Sequence, residues 1–518
     1  MNTTSLKKFR LVFSIIILLI CSVLFLDIRH LIPEEVFEIS LWLQFIPSAI
    51  KYISAGEAAA LGFGVIVVLT FLSGRTYCSF FCPLGILQDL FSRVGGRLRK
   101  KFRRYGFKKP HTLLRYSILA ITLLIALTGG MYILALLDPY SIFGRIMTYF
   151  GRPVIIAGNN FVAGILGKFD MYTFVHASVP SFSALIYIIP ALFLLLIIAL
   201  SLAKGRLYCN TICPVGTFLG LISKISVFRI RFDESKCTKC GRCAIACKSS
   251  CIDFLHKDID NSRCVVCFNC INSCPDKALS YGMVKLQVKA DQTDKSKRNF
   301  IGTSLFLLLG ISIRSSGQGK STPKPQKAST VKEKKIAPVS PPGSASISNF
   351  TSKCTACSLC VSACPNNVLI PSLKDYGISG ILIPHMDYHK GFCAYECTRC
   401  LEVCPTGALL PLMPEAKKLT QIGKAVFIKE NCIVETEHTA CGACAESCPT
   451  KAVHMIPFID NLTIPETTDD ICIGCGHCEF ACPMIPYKAI FVDGNTVHAA
   501  AKKPENVQTD LKHEDFPF

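Results

Sequence analysis

The chain has 518 residues, half of them hydrophobic, with a mean hydropathy of +0.41 and a net charge of +20. Its apolar residues fall in long blocks, which excludes an ordinary soluble globule and a disordered chain. The positive charge gathers beside those blocks, where it reads as a signal of membrane orientation and a solvated face, not as a nucleic-acid footprint.

Four apolar blocks, 11–26, 58–73, 117–137 and 182–203, have lengths near the roughly 20 residues of a membrane-crossing helix. Pro190 is a candidate kink in the fourth. The stretch 153–167 is apolar but holds Asn159 and Asn160, so it reads as an interfacial or re-entrant piece. Lys7, Lys8 and Arg10 precede the first block, and the segment from Arg75 to Arg115 carries eleven Lys/Arg against the single acid Asp89. The loop between the first two blocks instead carries Glu34, Glu35 and Glu38. Basic residues accumulate on the cytoplasmic side, so both ends of a four-span bundle, residues 1–230, are predicted to lie there.

Within that bundle a motif occurs twice, GRTYCSFFCPLG at 74–85 and GRLYCNTICPVG at 205–216. Each follows the exit of a block, which suggests two two-helix units, each ending in a cysteine pair. On one helical turn Cys78 with Cys82, and Cys209 with Cys213, would face the same way. Three roles fit: a four-thiolate metal site, a dithiol relay, or part of a quinone-headgroup interface. The competing structural reading is a tight turn with buried thiols. A stable disulfide is not expected on the reducing side.

Beyond residue 230 come six sets of four cysteines, 24 of the 30 in the chain. Thiolates two residues apart on one tight loop hold three irons of a cubane. In bacterial two-cluster ferredoxins the last cysteine of each run ligates the other cluster. The sets therefore pair. Residues 231–290 form a cytoplasmic unit with Cys237, Cys240, Cys243 and Cys274 on one cluster and Cys264, Cys267, Cys270 and Cys247 on the other. Residues 350–415 join Cys354, Cys357 and Cys360 with Cys404, and Cys393, Cys397 and Cys400 with Cys364. Residues 425–495 join Cys432, Cys441 and Cys444 with Cys482, and Cys472, Cys475 and Cys478 with Cys448. Zinc ribbons or a disulfide framework do not account for six such runs without histidine partners. The loops after Cys393 and Cys432 are longer than the rule. Lys248 stands where the other five sets have proline, and Cys251 reads as a small buried side chain.

Residues 295–313 read as an export signal inside the chain or as a fifth span. Lys297-Arg298 with Phe300 approximates a twin-arginine start, and the apolar run that follows is short for a span. Residues 314–349, rich in Ser, Pro and Lys, read as a flexible linker, and 496–518 as a tail. The fold class expected is an α-helical membrane bundle of four spans plus one signal-like segment, followed by α+β ferredoxin-like domains in three 2[4Fe-4S] modules.

With these motifs the front part, about 1–290, resembles the NapH/MauN-type membrane ferredoxins, on its two CxxxCP motifs, four spans and two cluster sets. The back part, about 296–490, resembles the NapG/MauM-type periplasmic ferredoxins, on its twin-arginine-like start and four sets. The resemblance implies a fusion in the bacterial inner membrane, with the first unit cytoplasmic and the last four sets periplasmic after twin-arginine-type export. It implies six [4Fe-4S] clusters, quinol as electron donor, and a periplasmic reductase, of nitrate-reductase type, or a cytochrome as partner. The CxxxCP cysteines would then be the quinol-side or relay element. A second reading is a cupric reductase or a maturation factor for a copper enzyme, using soft thiolates. No CxxCH haem motif, no nucleotide-binding glycine motif and no further domain for a flavin is present, so electrons are expected from a membrane-soluble donor or a partner. A hydrocarbon core of about 30 Å separates the two groups of sets, and an intermediary has to bridge it.

Overall fold

The computed structural model describes residues 3–29, 31–55, 61–98, 105–179, 183–283 and 331–503. Helix α1, Thr3–Leu26, organises the molecule. Its 24 residues span about 36 Å at 1.5 Å per residue, enough to cross a hydrocarbon core. Phe9, Val12, Ile16, Leu19 and Val23 form an outward apolar stripe at helical spacing, whereas Arg10, Ser14, Cys21 and Phe25 are buried on the inner side. Helix Ala184–Lys204 has the same character and runs unbroken through Pro190.

These two helices, the first over Ser5–Leu26, are long and apolar enough to cross a membrane, where the sequence predicted four. Helix Leu61–Ser73 is apolar but shorter. The block expected at 117–137 is interrupted: one helix covers Thr112–Leu127, another Tyr132–Leu137, and Gly129 at φ +83° separates them. A left-handed residue ends a helix, and averaged hydropathy does not register it. The stretch around 153–167 is a regular helix, Arg152–Gly167, and its two asparagines have a structural use. Asn159 donates to the Val175 carbonyl, and Asn160 both donates to and accepts from Ala177, which holds the following loop against the helix.

The cysteine-rich segments form small units built on two-stranded antiparallel ribbons. Phe228–Phe232 pairs with Leu279–Met283, Leu369–Pro371 with Pro384–Met386, Thr420–Phe427 with Ile490–Ala500, and Val453–Pro457 with Thr463–Thr467. Such ribbons are marginal alone in water. Cysteines are built into their cores: Cys243, Cys247, Cys251, Cys264 and Cys270 belong to the core of the first unit beside Ile230, Ile252 and Leu279.

The linker expected at 314–349 is in part a packed strap. Val331 and Asn431 exchange two hydrogen bonds of 2.8 Å, Lys335 pairs with buried Glu479 at 2.9 Å, and the Ile336 and Ala337 amides donate to Asp493. The start of the expected tail belongs to strand Ile490–Ala500. The expected export segment lies outside the described residues.

The first unit packs at the N-terminal end of α1 and the 354–408 unit at its C-terminal end. At one end Leu6 joins the first unit's core, the Val227 amide donates to the Phe71 carbonyl and the Tyr281 hydroxyl to the Ser73 carbonyl. At the other end Phe25 packs in one core with Cys357 and Leu359, and Asn367 donates to Ser178. A π-helical turn, Met147–Gly151, carries Tyr149 to 3.4 Å from Ser358.

Candidate metal centres

Four of the six sets share one backbone device. The residues before and after the second cysteine both have positive φ: Lys239 and Gly241, Val266 and Phe268, Ala356 and Ser358, Gly474 and Gly476. Alternating hand in a short loop turns successive amides toward a common concavity that favours an anion. After the fourth cysteine of five sets a positive-φ residue recurs three positions on, at Ser250, Lys277, Asn367, Gly407 and Lys451. Amides donate to the fourth sulfur in two of these sets, Ala278 to Cys274 at 3.3 Å and Leu409 to Cys404 at 3.4 Å, and in the remaining set Ala489 donates to Cys482 at 3.4 Å.

The fold brings the sets together in crossed fashion. Cys237, Cys240, Cys243 and Cys274 line one cavity, Cys247, Cys264, Cys267 and Cys270 a second, and Cys432, Cys441, Cys444 and Cys482 a third. Cys354 and Cys360 lie in the electrostatic field of Cys404, Cys400 in that of Cys393, Cys397 and Cys364, and Cys478 in that of Cys472, Cys475 and Cys448. Cys251 is buried, as expected, but it also lines the second cavity with its sulfur 3.5 Å from that of Cys247. That hydrogen bond is the main cause that holds the Cys247 thiol down at about 7.

The repeated motif forms a second kind of centre. Cys78, Cys82, Cys209 and Cys213 are each 3–4% exposed and share one buried core. The expected continuous turn is absent: helix Tyr77–Phe80 ends before Cys82, and Cys213 caps helix Pro214–Ser223, its sulfur accepting from the Gly216 amide at 3.3 Å. Each motif position has a task. Gly74 and Gly205 leave the preceding helix at φ +78° and +70°. The arginines cross over, Arg75 donating to the Cys209 carbonyl and Arg206 to the Cys78 carbonyl. The terminal glycines, Gly85 and Gly216, lie so close to those same two carbonyls that a Cβ would overlap them. The Gln88 side-chain amide donates to Cys209 Sγ at 3.3 Å, and Arg75 to Cys78 Sγ at 3.7 Å. Among the described residues the one triad of ligand atoms within 4.8 Å of one another is Glu333, His389 and Glu479. No three sulfurs of the four thiols, or of any of the six sets, lie within 4.8 Å of one another, whereas sulfurs on a single zinc ion are about 3.8 Å apart.

Charge around this centre is unbalanced. Asp89 accepts Arg206 at 3.0 Å and Arg10 at 3.3 Å, and Lys248 Nζ lies 3.1 Å from it without a well-aligned hydrogen bond. Arg75 is fully buried and bonds to Asn210, carbonyls and sulfur, with no carboxylate partner among its hydrogen bonds. Sequence reading missed Asp89, Lys248, Gln88 and the arginines. Three signals were available: the lone acid among eleven basic residues, the lysine in place of proline, and the arginine inside a repeated motif.

The centres follow one another. Cys267 of the first unit, the four motif cysteines and Cys357 of the second unit lie in one contiguous core. Farther on, the Cys393 amide donates to the Cys475 carbonyl at 2.9 Å and the Tyr388 hydroxyl to the Gly474 carbonyl at 2.6 Å, joining the second unit to the third.

Comparison with known proteins agrees with this chemistry. Residues 56–104 and 186–233 each match a family model described as a 4Fe-4S binding domain, 230–253 match another of that description, and 353–408 match a 4Fe-4S dicluster domain. The chain is similar to the methylamine utilization ferredoxin-type protein MauN of Methylobacillus flagellatus, 24% identical over 219 residues, 40% of this chain and 64% of that one. It is 25% identical over 220 residues to the ferredoxin-type protein NapH of Haemophilus influenzae, 40% of this chain and 63% of that one. It is 25% identical over 201 residues to the putative electron transport protein YccM of Escherichia coli, 38% and 47% respectively. The matches span less than two thirds of each of these relatives, from 47% to 64% of their length. No solved structure matches the chain.

Proposed function

We propose that this chain, an iron-sulfur ferredoxin-type electron-transfer protein related to NapH and MauN, takes electrons from quinol in the bacterial inner membrane and delivers them to a periplasmic reductase. The observation that carries the proposal is the placement of two cysteine-rich units at opposite ends of α1, a helix long enough to cross a bilayer. In this reading the helical domain built on α1 and Ala184–Lys204 crosses the membrane, the 228–283 unit is cytoplasmic, and residues 331–503 are periplasmic, as in a NapG/MauM-type partner fused to the same chain.

The donor sets fit six [4Fe-4S] clusters: cysteine-lined cavities, inward-turned amides and amide-to-sulfur hydrogen bonds. Each cluster, when bound, supplies a one-electron redox couple. The chain's own part is to hold the sulfurs, order the sets in a line and set the local charge. Arg145 and Arg152, buried beside Cys357 and Cys364, place positive charge at the second unit as Lys248 does at the first. The outermost set at the N-terminal end of α1 includes Cys240, which is exposed and accessible to a redox partner.

The copper-reductase reading requires thiols that a hydrated ion reaches, and the motif cysteines are almost fully buried. The test is to purify the protein anaerobically with its clusters oxidised, add a menaquinol analogue and follow cluster reduction by EPR. Rapid reduction supports quinol oxidation. No reduction by quinol, together with Cu(II) oxidising the dithionite-reduced protein, would favour the metal reductase.

A further inference from the structure

From the repeated motif we infer that Cys78, Cys82, Cys209 and Cys213 together ligate one further [4Fe-4S] cluster, which stands between the two ends of the molecule. The inference rests on the electron-transfer reading above and supplies the intermediary that reading lacks.

Ligand number comes first. Each repeat contributes two cysteines, and each of the two matched segments, 56–104 and 186–233, contains no others. One segment alone offers half a ligand set, and the pair offers a full one. The crossed, buried arginines tie one repeat to the other, and within each repeat the terminal glycine packs on the carbonyl of the first cysteine, so the backbone carrying the four sulfurs is held in place.

Charge supplies an independent argument. Arg10, Arg206 and Lys248 are buried around one carboxylate, Asp89, and Arg75 is buried against Cys78 and Cys209 with no carboxylate among its hydrogen bonds. Burying cations without counter-charge is costly. Four thiolates on a [4Fe-4S] core carry a net charge of about −2, which offsets that surplus together with the neighbouring Cys267 set. Donors to sulfur are already in place: Gln88 and Arg75 through side chains, and Gly216 through its amide.

Position supplies the third. Cys267 lies on one side of the four thiols and Cys357 on the other, within one continuous buried core. A centre there divides the crossing of about 30 Å into two shorter transfers. One electron enters from the cluster of the Cys267 set and one leaves to that of the Cys357 set, or the reverse. The centre is unchanged over a complete transfer, and no proton or further reactant is needed.

The experiment is iron and acid-labile sulfide analysis with EPR redox titration on the full-length, anaerobically prepared protein. Wild type should carry about 28 iron atoms per chain, and the Cys82→Ala/Cys213→Ala double variant about 24, with one one-electron signal lost. Gln88→Leu, which keeps all four thiols, should retain the iron and lower the midpoint of one centre, because an N–H···S bond favours the reduced cluster. If the double variant fails to fold, the wild-type count and Gln88→Leu decide. A wild type with about 24 iron whose six sets still titrate overturns this inference and leaves the electron-transfer reading standing. So does bound zinc, or a two-iron loss, at the four thiols. Absence of sulfide from the whole protein would overturn both.

Discussion

Lys248 Nζ lies 3.1 Å from Asp89 Oδ2, and this contact bolts the first cysteine-rich unit to the helical domain. Lysine occupies the position that is proline after the other five sets, since proline has no side chain that could reach the carboxylate. The Lys248 carbonyl also accepts from the Arg206 amide at 3.0 Å, so backbone and side chain serve the same junction.

Asp89→Asn should therefore destabilise the junction by about 3–5 kcal/mol, the usual cost of leaving buried charges without their partner. Lys248→Met should cost less, because it removes a charge from a site with a surplus of them. Thermal unfolding of the two purified variants compares them directly.

The same site predicts a pH response. Burial alone would raise the Asp89 carboxyl, but Arg206, Lys248 and Arg10 hold it well below the usual range. A depressed carboxyl gives stability that is present above its unfolded value, near 3.9, and is lost as pH falls through the folded one. The Asp89 contribution should be the same at pH 5 as at pH 7. It would be measured as the difference in unfolding temperature between wild type and Asp89→Asn at the two values.

Gly85→Ala and Gly216→Ala should each cost about 1–3 kcal/mol, the usual range for overpacking, since the added methyl meets the carbonyl of Cys78 or Cys209. Gly158→Ala, where a Cβ meets nothing within 4 Å, is the matched control and should leave the unfolding temperature within a degree or two.

Cys251→Ala should keep all iron and lower the midpoint of one cluster in the first unit, because it removes a hydrogen bond to Cys247 sulfur. Redox titration reads the shift. Loss of iron instead would make Cys251 a ligand.

Much of this site was legible because cluster loops are local: the four cysteines of a set and the turn that follows lie within 14 to 20 residues. The membrane helices were legible only in part. A glycine pair at 129–130 inside an apolar block ends a helix without changing mean hydropathy. What sequence reading missed has partners far along the chain. Asp89 meets Lys248, and Val331 of the supposed linker meets Asn431, each through contacts that no local pattern announces.

The most direct test of the account is reduction from one side of a membrane. The full-length protein in sealed proteoliposomes, with oxidised clusters, is given external dithionite, and EPR follows clusters at both ends while a Cys209→Ala sample serves as comparison. The account predicts that wild type is reduced throughout and that the variant is reduced only at the exposed end of each chain. Wild type reduced only on the side facing dithionite would contradict it.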